Sequence, residues 1–137
     1  MTGRIMAIDY GTKRIGIAMT DPLCIFAKAH SVLENSGFED ILPKIQALID
    51  ENEVCKVVVG MPYAIDGSYT PKTTETEDFK KKLQERLKIP VLSYDERYSS
   101  ADAEAELKMM GKSWQESRKM VDAMAAAMIL KSYLENN

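Results

Sequence analysis

Residues 5–19 decide the fold, and they read IMAIDYGTKRIGIAM. Two apolar runs, 5–8 and 15–19, stand on either side of a short segment that contains Asp9, Gly11 and Thr12. Short apolar runs bounded by turn-forming residues are typical of β-strands joined by a tight turn. A third strand is predicted over 25–33. The pattern therefore predicts antiparallel strands first, with Asp9 where the first strand ends.

Two more β-rich runs follow, at 57–59 and 91–94. A helix is predicted between them over 71–88, because Thr70 can cap its first turn and Pro71 suits its first position. Two strands separated by a helix pair in parallel through a right-handed crossover. The sheet is therefore predicted to be mixed.

Three further helices complete the predicted order of elements. Apolar residues between 38 and 49 recur at the spacing of one helix face. Residues 101–110 are helix-forming, and the segment 120–134 is apolar on most sides, so that helix must be packed rather than laid on the surface. Together with the strands, these helices predict an α/β fold.

Composition limits the domain number, the charge distribution and the cellular location that we expect. The chain has 137 residues, of which 45% are apolar, and we expect one domain over residues 1–137. The net charge of −3 gives no global basic field, so any site for a polyanion must be local. Two cysteines without CxxC spacing and the absence of a signal-like or membrane-spanning apolar run predict a cytoplasmic protein that does not bind membranes.

Four acidic residues lie at positions in the predicted fold that suggest a function. Asp9 ends the first strand, Asp95 and Glu96 end the last, and Asp122 lies within the apolar last helix. The carboxyl ends of parallel strands meet at one edge of an α/β sheet, where ligands bind. If the last helix packs there with Asp122 facing inward, three carboxylates surround one space. Hard oxygen ligands of this kind select Mg²⁺ or Mn²⁺.

Each acid also has an ordinary structural interpretation. Asp122 can form a helix-surface ion pair with Arg118 or Lys119. Asp9 can accept hydrogen bonds from the amides of Gly11 or Thr12, as aspartates often do after a strand. The functional interpretation needs the acids to converge in space.

Basic residues lie near these acids in the sequence. They could hold the phosphates that flank a cleaved bond, although scattered Lys and Arg are also normal surface residues. The candidates for nucleic-acid binding are Lys13, Arg14, Arg97, Lys112, Arg118 and Lys119.

Four blocks in this order resemble the YqgF/RuvX family: IDYGTKRIG at 8–16, VGMP at 59–62 with Asp66-Gly67, DER at 95–97 with Ser99, and VDAMAA at 121–126. The match spans nearly the whole chain. The resemblance implies a ribonuclease H-like fold with strand order 3-2-1-4-5 and helices on both faces of the sheet. It also implies a metal-dependent nuclease that either resolves Holliday junctions or processes precursor small-subunit ribosomal RNA.

The resemblance assigns Asp9 and Asp122 to the catalytic site directly. Relatives in the resolvase branch place a Glu after the fourth strand, where this chain has Gly60-Met61-Pro62. The middle acid must then be Asp95 or Glu96, and the resemblance favours Glu96, since strand alternation points only one of them inward. The expected metal ligands are Asp9, Glu96 and Asp122, with Asp95 as the alternative catalytic acid.

The irregular segment 60–69 would border the same edge. There Tyr63 or Tyr69 could stack on an unpaired base, or pack inward instead.

Two other functions remain open from the sequence. A nucleic-acid-binding module of the same fold needs no catalysis, and the Asp9-x-Gly11-Thr12 turn is also similar to the phosphate loop of sugar kinases and actin, which need a second lobe. RNA and DNA substrates are not distinguished. A junction resolvase is expected to be a homodimer with two active sites, whereas an RNA-trimming enzyme can work as a monomer.

Overall fold

The computed structural model describes residues 3–98 and 114–137. The predicted helix over 101–110 and Lys112 lie outside these ranges, and the side chains of Arg118 and Lys119 are likewise outside the described part. The elements, in chain order, are β1 (Arg4–Asp9), β2 (Arg14–Thr20), β3 (Ala27–Glu34), α1 (Phe38–Asn52), β4 (Val54–Met61), α2 (Pro71–Arg86), β5 (Val91–Asp95), a 3₁₀ turn (Glu96–Tyr98) and α3 (Trp114–Asn136).

The five strands form one mixed sheet in the order β3-β2-β1-β4-β5. β1, β2 and β3 pair antiparallel, whereas β4 pairs in parallel with both β1 and β5. The predicted α/β class, strand order and mixed sheet are therefore confirmed. The carboxyl ends of β1, β4 and β5 lie at the same edge, which we call the site edge.

The third strand begins later than predicted, at Ala27 rather than residue 25. Asp21 holds the preceding turn, because its carboxylate accepts hydrogen bonds from the backbone N–H groups of Leu23, Ile25 and Phe26 at 2.7–3.2 Å. Those N–H groups are thereby taken from the sheet ladder. The predicted start of α2 is confirmed, since Thr70 and Thr73 form a reciprocal capping box around its first turn.

Helices cover both faces of the sheet. α1 and α2 pack on one face, where Ile8, Ile17 and Val57 of the strands meet Ile45 and Leu83 of the helices. α3 packs on the other, against smaller side chains that include Ala7, Ala18 and Val58. Within the described residues, no helix is long and apolar enough to cross a bilayer.

The contact between α3 and β2 is unusually close. A Cβ atom on Gly16 would overlap the backbone carbonyl of Asp122, so only glycine allows the helix to lie this near the strand. Gly16 is also the residue of β2 that pairs with Asp9 of β1. This contact brings Asp122 to the site edge, next to the end of β1.

Candidate active site

Asp9 and Glu96 come together at the site edge. Strand alternation turns Asp9 to the α3 face, along with Ile5 and Ala7. Glu96 follows β5 and reaches back across β4 toward Asp9. The two carboxyl groups are joined by a hydrogen bond, and the charge of Lys72 acts to lower the pKa of both.

Gly60 makes this approach possible. A Cβ atom at Gly60 would stand 2.6 Å from Oε1 of Glu96 and 2.9 Å from its Cγ. Gly60 lies in β4 between β1 and β5, so the Glu96 side chain passes directly over its bare backbone. The same Cβ would stand 2.5 Å from Cδ1 of Ile129 on α3, so a larger residue at position 60 would have to displace Ile129, Glu96 or both.

The acid pair holds a proton. Burial raises the pKa of the Asp9 carboxyl, while the hydrogen bond from Glu96 and the charge of Lys72 act to lower it. Burial and then the charge of Asp9 raise the pKa of Glu96 to about 8. At neutral pH the Glu96 carboxyl is therefore largely protonated and donates to the Asp9 carboxylate. Carboxyl groups that share a proton in this way carry one negative charge instead of two.

The turn after β1 does not depend on Asp9. The side-chain amide of Asn35 donates to the carbonyl of Gly11 at 2.8 Å, and the backbone N–H of Asn35 donates to the carbonyl of Lys13 at 2.9 Å. The hydrogen bond that Asp9 makes through its side chain goes to Glu96. The interpretation of Asp9 as a turn-forming residue is therefore not supported.

Asp122 lies close to the pair but is charge-paired with a residue that the sequence did not suggest. Nε of Arg14 stands 2.9 Å from Oδ2 of Asp122, and the Asp122 side chain is 29% exposed. The negative charge of Asp122 also raises the pKa of Asp9, which places the two carboxylates within electrostatic reach. Among the side chains that the structure describes, in residues 3–97 and 120–137, no three from acids, histidines or cysteines stand close enough together to hold a metal ion.

Asp95 points elsewhere and is neutralised by Arg97. The Arg97 guanidinium contacts both carboxylate oxygens at 2.6–3.0 Å, and the Arg97 backbone N–H donates to Oδ1 at 3.0 Å. These hydrogen bonds hold the pKa of Asp95 below its usual range. Of the two candidates for the middle acid, only Glu96 faces Asp9.

A cleft of about 490 Å³ opens beside the acids, between the turn after β1 and the first turn of α2. Lys13 and Arg14 line it from the turn, and Lys72 and Glu75 line it from the helix. Lys72 was missed in the sequence, although its charge lowers the pKa of both Asp9 and Glu96. The available signal was its position directly after Thr70-Pro71, in a first turn that the crossover brings to the site edge.

Known proteins resemble this chain in sequence and in structure. The family model described as "RuvX: Holliday junction resolvase" matches residues 3–136. A protein of Syntrophomonas wolfei named "Putative pre-16S rRNA nuclease" is 43% identical over 96% of this chain and 94% of its own length. A relative of the same name from Halothermothrix orenii is 40% identical over 96% and 94%.

Solved structures show the same fold. RuvC of T. thermophilus, solved in complex with a Holliday junction substrate, superposes with a TM-score of 0.60 at 14% identity, over 98% of this chain and 96% of that one. The Fowlpox virus resolvase, solved with Holliday junction DNA, gives a TM-score of 0.59 at 12% identity, over 97% of both chains. The fold is therefore ribonuclease H-like, as the resemblance implied. With its match across residues 3–136 and relatives above 40% identity, the chain belongs to the RuvX family.

Proposed function

We propose that this protein is a metal-dependent endonuclease that hydrolyses phosphodiester bonds in structured nucleic acid. The observation that carries the proposal is the Asp9–Glu96 pair, two carboxyl groups buried together at the edge where α/β sheets bind ligands. A pair of this kind costs free energy in a protein that only binds nucleic acid, because each carboxyl group loses part of its hydration there. A catalytic role for Asp9 and Glu96 would account for this cost.

The donor set suits Mg²⁺ or Mn²⁺. Asp9 and Glu96 offer hard oxygen ligands that would hold such an ion once the pair had lost its proton. Asp122 would complete the set once its carboxylate leaves Arg14. When bound, such an ion activates water for attack on phosphorus and stabilises the leaving oxygen.

The neighbouring cations have separate roles in this proposal. Lys13 and Lys72 line the cleft beside the acids and are placed to contact phosphate oxygens of the substrate. Arg14 holds Asp122 when no substrate is bound and is free to contact phosphate once Asp122 turns to the metal. Arg97 braces Asp95 and so keeps the adjacent Glu96 in place. Lys112, Arg118 and Lys119 remain candidate phosphate contacts.

For the substrate we propose the 5′ region of precursor small-subunit ribosomal RNA. Curated relatives that cover nearly the whole chain at 40–43% identity carry names of this activity. Such an enzyme would act in the cytoplasm, and one active site per monomer is enough for it. The alternative is Holliday junction resolution, which the description of the family favours and which needs a homodimer.

The test is a cleavage assay with Mn²⁺ on precursor ribosomal RNA, a four-way DNA junction and plain duplexes. We expect cleavage of the precursor RNA and a loss of about 10³-fold in Asp9→Asn, because removing a ligand removes much of the charge stabilisation of the transition state. Asp50→Asn, an exposed acid on α1, is the matched control and should cleave like the wild type.

Binding is measured in parallel. Binding without cleavage of any substrate would favour a non-catalytic module. Cleavage that survives Asp9→Asn would refute the proposed site.

A further inference from the structure

The segment between β4 and α2 is a braced arm. At its base, the Thr73 hydroxyl donates to the carbonyl of Pro62 at 2.5 Å. At its tip, the N–H of Ala64 donates to the carbonyl of Ser68 at 3.0 Å, and the N–H of Gly67 donates back to the carbonyl of Ala64 at 2.8 Å. These contacts close residues 64–68 into a compact turn.

The arm is tied to the residue after Glu96. Nη1 of Arg97 donates to the carbonyl of Ile65 at 3.2 Å, and the guanidinium carbon lies 5.8 Å from the centre of the Tyr63 ring. The same guanidinium forms an ion pair with Asp95. The tip of the arm is therefore held to Arg97, which in turn pairs with Asp95, and these two residues flank Glu96 in the chain.

Ile65 is fully presented to solvent at this tip. Its side chain is 97% exposed, although its backbone is held by Arg97. The aromatic residues of the arm are engaged with protein groups: Tyr63 and Tyr69 lie 5.6 Å apart between ring centres, and Tyr69 also hydrogen-bonds Glu77. Tyr69 is 54% exposed and Asp66 and Ser68 are also exposed, but the most exposed large apolar side chain of the arm is that of Ile65.

We propose that Ile65 is a wedge that inserts between two bases next to the bond that is cut. This inference rests on the proposed function. A phosphate or a sugar offers nothing to an aliphatic side chain, whereas the faces of bases are the apolar surface of a nucleic acid, and aliphatic residues are known to open base steps. Because the backbone of the arm is braced, contact with the substrate moves the bases rather than the loop.

A wedge at Ile65 would favour substrates in which a base step opens easily. Opening a base step is costly within a continuous duplex and cheap at a bulge, a mismatch or the end of a helix. The protein should therefore cut structured RNA where pairing is interrupted. Within continuous helices it should depend on Ile65 to open the step.

The experiment compares Ile65→Ser with the wild type on two hairpin RNAs of the same sequence. One is fully paired at the cut site, and the other has an unpaired bulge there. We expect kcat/KM of Ile65→Ser to fall about tenfold on the paired RNA and little on the bulged one. Ile65→Leu should retain activity on both RNAs.

A second measurement needs binding only. With 2-aminopurine at the cut step, wild-type protein should increase the fluorescence as the base unstacks, and Ile65→Ser should not. This arm is run in the Asp9→Asn background, so it tests the wedge whether or not the protein cleaves RNA. The matched control is Leu23→Ser, which changes a 74% exposed aliphatic residue in the turn after β2, at the opposite edge of the sheet.

The outcomes are distinguishable. Equal activity of Ile65→Ser and the wild type on paired RNA, or an unchanged fluorescence rise, would overturn the wedge. An equal loss on both RNAs would also overturn it, since Ile65 would then act without opening the step. A wild type that cuts neither RNA would refute the proposed function but not the wedge, provided the fluorescence rise is seen.

Discussion

The four acids at the site edge fall into two groups with opposite surroundings. Asp9 and Glu96 are partly buried against each other, and loss of hydration raises the pKa of both, although the charge of Lys72 acts to lower it. Asp95 and Asp122 each contact an arginine, at 2.6 and 2.9 Å. The difference separates acids that are prepared to receive a cation from acids whose charge the protein already neutralises.

The Asp122–Arg14 pair is the exchangeable one. Both partners are partly in solvent, with 29% of the Asp122 side chain and 62% of the Arg14 side chain exposed. Ion pairs in such surroundings contribute only about 0–1 kcal/mol. Little free energy is therefore needed to release Asp122 from Arg14, as the proposed metal site requires.

The largest effect on cleavage should come from adding one methyl group beside the Asp9–Glu96 pair. In Gly60→Ala, the new Cβ would stand 2.6 Å from Oε1 of Glu96 and 2.5 Å from Cδ1 of Ile129, and we expect the Glu96 carboxyl group to move away from Asp9. Displacing a catalytic group by about 1 Å can cost about 10²-fold in rate. We expect a loss of that size in Mn²⁺-dependent cleavage, with weaker Mn²⁺ binding by calorimetry.

A double-mutant cycle gives the control for this variant. In a Glu96→Gln background the carboxylate that we propose as catalytic is already gone, so Gly60→Ala should cost little further activity. The same loss in both backgrounds would mean that Gly60 acts through packing against α3 and not through Glu96.

Gly60 also illustrates what the sequence could and could not predict. The order of strands and helices was predictable, because apolar periodicity and turn residues are local signals. Gly60 was interpreted as an acid missing from β4. The structure shows instead that Glu96 fills that space from β5, and the bare backbone of Gly60 is what admits it. A contact across three strands has no local signature.

The ion pairs could not be predicted from the sequence for the same reason. The spacing on the helix suggested Arg118 or Lys119 as partners of Asp122; their side chains lie outside the described part, and the partner that the described residues provide is Arg14, 108 positions away. Only the packing of α3 on Gly16 brings these residues together. Lys72 was missed because a single lysine on a charged helix looks like any solvent-facing residue.

An intermediate effect is expected when the exchangeable pair is broken. Arg14→Met frees Asp122 to join Asp9 and Glu96, so Mn²⁺ should bind about three- to tenfold more tightly. RNA binding should weaken, and the slope of log K against log salt should fall by about one unit if Arg14 contacts a phosphate. Calorimetry and salt-dependent binding assays measure the two effects.

Arg86→Met is the matched control for that variant. Arg86 makes a comparable exposed pair with Glu39 at 2.8 Å, on the side of α1 and α2 away from the acids. Its loss should leave Mn²⁺ affinity unchanged. If Arg14→Met binds Mn²⁺ no better than Arg86→Met does, Asp122 is not a ligand.

The smallest effect concerns the stability of the metal-free protein. The pKa of Glu96 is about 8 in the folded protein, against an ordinary value of 4.5, so between these values the folded state holds a proton that the unfolded state has lost. The free energy of unfolding must then fall as pH rises from about 4.5 to about 8. We expect Tm of the wild type to drop between pH 6 and pH 8.5 by about 5 °C more than that of Glu96→Gln, whose amide still donates to Asp9 but does not titrate. Mg²⁺ at pH 8.5 should restore the wild type more than the variant, because binding to the folded state alone stabilises it. Parallel pH curves for the two proteins would show that the acids do not share a proton, and the contrast between the two groups of acids would then fail.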